Sequence, residues 1–183
     1  MNRFAWLRQW LRYRSVAAGV VGLAIASCQS PSNPGGGNPS STATTNSQGL
    51  KLGALLPATG DLSAVGPPLL DSVSLLVQTV NQCGGVNQAP VSLVSEDDQT
   101  EPAAGAEAMA KLVEVDRVAG VVGSFPSSVS SAAVDVAVRN RVMLISPAST
   151  SPTFTERAKK GDFQGFWART APPDTYQAQA LAK

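Results

Sequence analysis

The chain of 183 residues contains no histidine. That absence removes Ser-His-Asp and Cys-His nucleophilic catalysis and every histidine-ligated metal site. Two cysteines are too few for a zinc cluster, so no metal and no cofactor is expected. No G-x-G-x-x-G opens a helix and no P-loop occurs, which leaves nucleotide binding without a motif. Charged residues reach only 15% and aromatics 5%, against 43% hydrophobic residues. Such a balance excludes collagen, coiled coil and a wholly disordered chain, and fits one soluble domain with flexible or apolar additions.

The net charge of +1 is unevenly spread. Arg3, Arg8, Arg12 and Arg14 stand in residues 1–27 with no acid beside them, so the remainder carries −3. A slightly acidic body argues against nucleic acid as a partner. Residues 1–13 are basic and aromatic, and residues 15–27 form a short apolar run ending in small side chains, the layout of a secretory signal. That run falls short of the about 20 apolar residues a membrane-spanning helix wants. Ile25-Ala26-Ser27-Cys28 resembles the lipobox of bacterial lipoproteins, which implies that Cys28 is lipidated and becomes the mature N-terminus. The alternative is an uncleaved anchor helix with an incidental cysteine. A lipid on Cys28 would hold the protein on the bilayer of the cell envelope, facing the extracytoplasmic side, without spanning it.

Residues 29–48 read QSPSNPGGGNPSSTATTNSQ, with no charge and no apolar periodicity. Such a stretch behaves as a flexible tether, with an O-glycosylated stalk as the weaker reading. The expected organisation is a signal at 1–27, a lipidated cysteine and linker at 28–48, and a folded domain at 49–183.

From Leu50 onward, short β-like runs alternate with helical periodicity. Strands are expected at 51–56, 91–95, 118–122, 142–145 and 166–169. A helix from about Pro67 places Leu69, Val73, Leu76, Val77 and Val80 on one face, with Gly84-Gly85 as its stop. A second helix follows Pro102, with Ala106, Met109, Ala110 and Val113 facing inward and Asp97, Asp98 and Thr100 offering capping oxygens. A third runs from Ser127 to about Arg139 and turns Val129, Ala132, Ala133 and Val136 to one side. This alternation predicts an α/β fold, a Rossmann-like parallel sheet with helices on both faces. The continuous apolar runs at 118–122 and 142–145 suit strands buried on both sides. Ligands of such sheets bind beyond the carboxyl ends of the strands, here 57–66, 96–100, 123–128 and 146–152.

Those segments carry GALLPATGDLSAVGPPLLD, NQCGGVN, EDDQTEPAAG, VVGSFPSSVSSAA, LISPASTSPTFT and RTAPPD. In this order and spacing they resemble the N-terminal lobe of type I periplasmic substrate-binding proteins, and most closely the leucine/isoleucine/valine-binding family of ABC importers. The resemblance covers residue 50 to the C-terminus. It implies a two-lobed fold that closes on a small molecule, an amino acid or amide, hands it to ABC permease subunits, and performs no chemistry. The chain stops at Lys183, at what resembles the start of a helix entering a second lobe, so a second lobe is absent from this sequence. A fragment, a truncated product and a half-protein with another use all fit.

The resemblance also implies site residues. The serine of the family's G-x-x-x-S loop binds the ligand carboxylate and maps to Ser127, with Ser128 beside it. A helix N-terminus favours an anion there; the plainer reading is that Ser127 only caps its helix. The ISPxxT loop contributes a carbonyl for the ligand ammonium and a hydroxyl, mapping to Ala148 and Thr150. Where relatives often place an aromatic ring in the first loop, this chain has Val65, which weakens any assignment to leucine in particular. Asp97 and Asp98 could form a paired-carboxylate or metal site, although capping explains them. Glu96 is expected to be solvated, and Ser128, Ser130 and Ser131 to lie on the helix surface. Lipidation of Cys28 would exclude a disulfide between it and Cys83, which is expected as a small buried or half-buried residue at a helix end, or as a reactive thiol. The leading reading is therefore a solute-binding receptor. A sensing or interaction domain without transport, and a non-functional remnant, are the alternatives.

Overall fold

The computed structural model describes residues 49–182. The signal, Cys28 and the linker lie outside the described residues. Five parallel strands, β1 (Lys51–Leu56), β2 (Ser92–Asp97), β3 (Gly120–Gly123), β4 (Met143–Ser146) and β5 (Trp167–Arg169), form one sheet in the order β2-β1-β3-β4-β5. Between them run α1 (Gly66–Gln82), α2 (Pro102–Ala110), α3 (Ser127–Asn140) and α4 (Pro152–Lys159), and α5 (Asp174–Leu181) follows β5. A π-helical turn at Lys111–Val115 extends α2. Among these residues no helix is long and apolar enough to cross a membrane.

Register follows the apolar pattern. Gly53 pairs with Val121, and Val121 with Leu144, so alternate positions on each strand share a face. Leu55, Val121 and Leu144 join Met109, Leu112, Ala133, Val134 and Ala137 in the main core. Leu55, Met109, Leu112 and Leu144 are wholly excluded from solvent, each worth about 1.5–3 kcal/mol of burial. Right-handed crossovers put α1 on the other face, where it packs on β1 and β2. Gly105 lets α2 and α3 cross closely, since a Cβ there would overlap Val129 Cγ1.

The structure corrects several expectations. The 142–145 run is not buried on both sides: Leu144 is, but Ile145 is 38% exposed, because α1 covers only the β1–β2 half of that face. Leu76 is exposed on α1 for the same reason, while Val77 on the next position is buried. Strand β2 runs on to Asp97, and β3 begins only at Gly120. Helix α4 was not expected. Its stretch is charged, with Phe154 as its one buried side chain. Glu96 is not simply solvated, for its carboxylate meets Lys111 Nζ at 2.7 Å. Cys83 sits at the C-cap of α1, exposed rather than buried and engaged in a disulfide. The glycine stop does form: Gly84 and Gly85 follow with positive φ, and Gly85 N donates to the Val80 carbonyl at 2.9 Å.

Candidate functional site

Because every strand is parallel, the loops at 57–65, 98–101, 124–126 and 147–151 all leave the same edge of the sheet. The chain passes from β1 to β2 on one side and to β3 on the other, so the strand order reverses between β1 and β3. In open α/β sheets this is the crevice where ligands bind.

Ser127 is the first residue of α3, not its cap. The N-cap is Pro126, which has no side-chain acceptor, so the first amides of α3 are uncapped donors. The Ser127 hydroxyl instead accepts a hydrogen bond from Ser151 N at 3.3 Å, which ties the β3 loop to the β4 loop and leaves the hydroxyl proton to donate. Ser128, the next residue, is exposed. Ser127 and Ser128 share a cavity of about 220 Å³ with Ser151, Thr153, Phe154 and Arg157.

Ala148 and Thr150, both partly buried, lie in the loop after β4. Three of its carbonyls are strongly held. Arg169 on β5 donates from Nη1 to Ser149 O at 3.0 Å and Ser151 O at 2.9 Å, and from Nη2 to the Thr155 hydroxyl at 2.6 Å. Asp174 N donates to Thr150 O at 3.0 Å. The Ala148 carbonyl receives no hydrogen bond among the described residues. The loop thus keeps one bare carbonyl and is tied through Ser151 to an uncapped helix N-terminus, groups suited to an ammonium and a carboxylate, although neither Ala148 nor Thr150 lines the Ser127 cavity.

Val65 is partly buried at the N-cap of α1, at the end of the neighbouring β1 loop. It does not line the Ser127 cavity. A separate cavity of about 240 Å³ lies under the β1 loop, against Leu56, Leu70 and Asp97.

Asp97 and Asp98 are not arranged as an acid–base pair. Asp97 Oδ1 accepts from Ala58 N at 2.8 Å, Thr59 N at 3.1 Å and Gln99 N at 2.9 Å, and Oδ2 accepts from the Thr59 hydroxyl at 2.6 Å. Partial burial raises its pKa, but the Thr59 hydroxyl and the three amides outweigh that and hold it below its ordinary value. Asp98 is fully buried; Oδ1 accepts from Thr100 N at 2.9 Å and Oδ2 has no partner among the described residues. Burial pushes its pKa up, opposed by the Thr100 bond and aided by the Asp97 charge. Neither caps α2, whose N-cap is Glu101 without a side-chain bond. Among the described residues no cluster of three or more His, Cys, Asp or Glu could hold a metal ion.

Sequence reasoning missed a group behind the site. Ser124, Ser130, Ser146 and Ser149 are all fully buried, and Ser130 is therefore not helix surface. No periodicity signals them, because two lie in loops and each depends on the others for a partner. Arg169 was also missed, although an arginine leading into T-A-P-P-D was in view.

Comparison with known proteins places this geometry. The family model described as periplasmic binding protein matches residues 49–181. The chain is 36% identical over 141 residues to Leu/Ile/Val-binding protein homolog 2 of Brucella abortus, covering 73% of this chain and 38% of that protein. It is 33% identical over 138 residues to the chemotactic signal transduction system substrate-binding protein BasB of Halobacterium salinarum, covering 74% and 33%. Among solved structures it is similar to the branched-chain amino acid transporter substrate binding protein LivJ of Streptococcus pneumoniae, in complex with isoleucine. That match has a TM-score of 0.63 and 29% identity, over 69% of this chain and 35% of that one. The leucine binding protein LivK of Thermotoga maritima matches with a TM-score of 0.61 and 29% identity, over 73% and 35%. The chain spans about a third of the length of the curated relatives it matches. These relatives are substrate-binding proteins, not enzymes. With a single five-stranded parallel sheet of the type I fold and a family match across nearly all of its described residues, the chain belongs to the periplasmic binding protein family.

Proposed function

We propose that the protein is the solute-binding receptor of an ABC importer for amino acids, branched-chain ones or related small molecules, working on the extracytoplasmic side of the membrane. The observation that carries this reading is the bond between Ser151 N and the Ser127 hydroxyl. It ties an uncapped helix N-terminus, for the ligand carboxylate, to the loop that carries the bare Ala148 carbonyl, for the ammonium. Thr150 adds a hydroxyl, Ser128 a further first-turn amide, and Val65 an apolar contact from the β1 loop. The Brucella and Streptococcus relatives, named for Leu/Ile/Val binding and branched-chain amino acid transport, support the ligand class.

The test is a titration of the protein with L-leucine, L-isoleucine and L-valine, followed by amide NMR shifts at millimolar ligand. Shifts centred on Ser127 to Ser128 and Ala148 to Thr150 are expected. Shifts confined to other surfaces, or no shift with any of the three, overturn the reading.

Anchoring is the second part of the proposal: Cys28 carries a lipid, supported by the Ile25-Ala26-Ser27-Cys28 run. With two cysteines in the chain, a thioether at Cys28 and a disulfide at Cys83 coexist only if Cys83 pairs outside the chain. The intact mass of membrane-extracted, unreduced protein decides between them. A lipid-bearing mass beginning at Cys28 supports anchoring, and an unacylated chain with its two cysteines joined overturns it.

A second reading is favoured by the similarity to BasB, a chemotactic substrate-binding protein. The same lobe would then report a bound amino acid to a signalling partner. Copurification of permease subunits, as against a membrane transducer, separates the two.

A further inference from the structure

The four buried serines form one continuous hydroxyl chain between the two loops of the site. Ser149 Oγ donates to Ser130 Oγ at 2.7 Å, Ser130 Oγ to the Ser124 carbonyl at 3.2 Å, and Ser124 Oγ to the Pro126 carbonyl at 3.3 Å. The single proton of Ser146 serves the Ser124 carbonyl at 2.6 Å and the Ser149 hydroxyl at 2.7 Å. Ser146 Oγ in turn accepts from Ser149 N at 3.0 Å and Ala148 N at 3.3 Å. Every polar atom in the chain is used, with each hydroxyl buried at 0% exposure.

A core needs no hydroxyls for stability alone, since apolar side chains of the same shape would fill the space as well. What distinguishes this cluster is its placement. Ser124 sits three residues before Ser127, Ser130 one turn after it, and Ser146 and Ser149 flank Ala148. Among the described residues, the only other side-chain bond joining these loops is the one from Ser151 N to Ser127 Oγ, at the longer distance of 3.3 Å.

We propose that Ser130 and Ser149 are positioning residues: their hydroxyl pair fixes the β4 loop against the start of α3, so that the Ala148 carbonyl and the Ser127 hydroxyl are set for one ligand before it arrives. The proposal rests on the site assigned above. It extends that assignment to residues that touch no ligand, through the hydrogen bonds that join the two loops.

The experiment uses the full chain with Ser130→Ala, Ser149→Ala, the double variant, and Val113→Ala as a control in the core away from the loops. The readouts are thermal stability, amide hydrogen exchange at Ala148 and Ser151, and L-leucine affinity by NMR. Ser130→Ala leaves the Ser149 proton without its acceptor, whereas Ser149→Ala leaves Ser130 with the Ser124 carbonyl, and the double substitution leaves Ser124 and Ser146 each with a carbonyl acceptor. The double variant therefore regains stability relative to Ser130→Ala. Positioning predicts that its Ala148 and Ser151 amides still exchange about tenfold faster than in the parent protein, the loss of roughly one hydrogen bond, and that any L-leucine affinity falls in step. Val113→Ala lowers stability without changing the exchange of these two amides. If exchange in the double variant returns to the parent rate along with stability, the serines are structural filler and the proposal is overturned. If the parent protein fails to bind L-leucine, the ligand assignment falls, while the exchange result still decides the coupling.

Discussion

Ser151 N and the Ser127 hydroxyl meet at 3.3 Å across 24 residues of sequence. One side chain thus serves the loop that follows β4 while standing at the head of the helix that follows β3.

Ser127→Ala removes that acceptor and the proton left for a ligand. In a two-lobed receptor built on this lobe, as proposed, L-leucine affinity is expected to fall by about 1–3 kcal/mol, read by calorimetry. An unchanged affinity counts against the carboxylate assignment. Residues 49–183 on their own offer a single wall, so their binding is expected to be weak or undetectable by the same method. A submicromolar affinity would contradict this.

Asp97 gathers three amides and a hydroxyl around one carboxylate. Its folded pKa lies below the ordinary 3.8, so the stability it contributes is present above that value and is lost as pH falls through the folded pKa. Asp97→Asn keeps one acceptor oxygen and no charge. It should lower the melting temperature at neutral pH and flatten the acid limb of the melting curve below about pH 4. An acid limb as steep as in the parent protein would place the titrating group elsewhere.

Asp98 has the opposite sign. With its folded pKa raised by burial, the unfolded chain gives up its proton first as pH rises, and stability falls over the interval between 3.8 and the raised value. Asp98→Asn retains an acceptor for Thr100 N and abolishes this loss. The variant is expected to gain on the parent protein between pH 4 and pH 7 in parallel denaturant titrations. A constant difference across that range refutes the assignment.

Gly105 is where α2 meets α3. Gly105→Ala drives a methyl against Val129, and overpacking of this kind costs about 1–3 kcal/mol. Helix propensity alone would favour alanine by about 1 kcal/mol, so chemical denaturation distinguishes the two by the sign of the change.

The sequence disclosed most of the scaffold because its strands are short apolar runs and its helices carry clear punctuation. Lys51–Leu56 appears where it was read, and α3 opens at Ser127. The failures have physical causes. Leu76 obeys helical periodicity, yet its burial depends on how far α1 reaches across the sheet, which periodicity does not encode. Helix α4 carries Glu156, Arg157 and Lys159 on an octet with Phe154 as its one buried side chain, although Ser151 before Pro152 is an N-cap and first-turn pair, and Ser151 Oγ does accept from Thr153 N at 3.4 Å. Of the proposed site, Ser127, Ala148 and Thr150 are candidates that the sequence offers through their loops. Ser130 and Ser149 were not, because a serine is buried only when partners from distant segments reach it. Arg169 likewise acquires its role only when β5 pairs beside β4.

Trp167 stacks on Phe154 with ring centroids 4.4 Å apart and an 11° tilt, and Phe163 closes the trio. Trp6 and Trp10 are the chain's only other tryptophans, so a protein that begins after the linker has one indole. That indole bridges β5 and the helix whose head carries Ser151. Its emission colour and quenching thus give the domain an intrinsic optical gauge of whether the β4 loop and α4 stay seated, with no label attached.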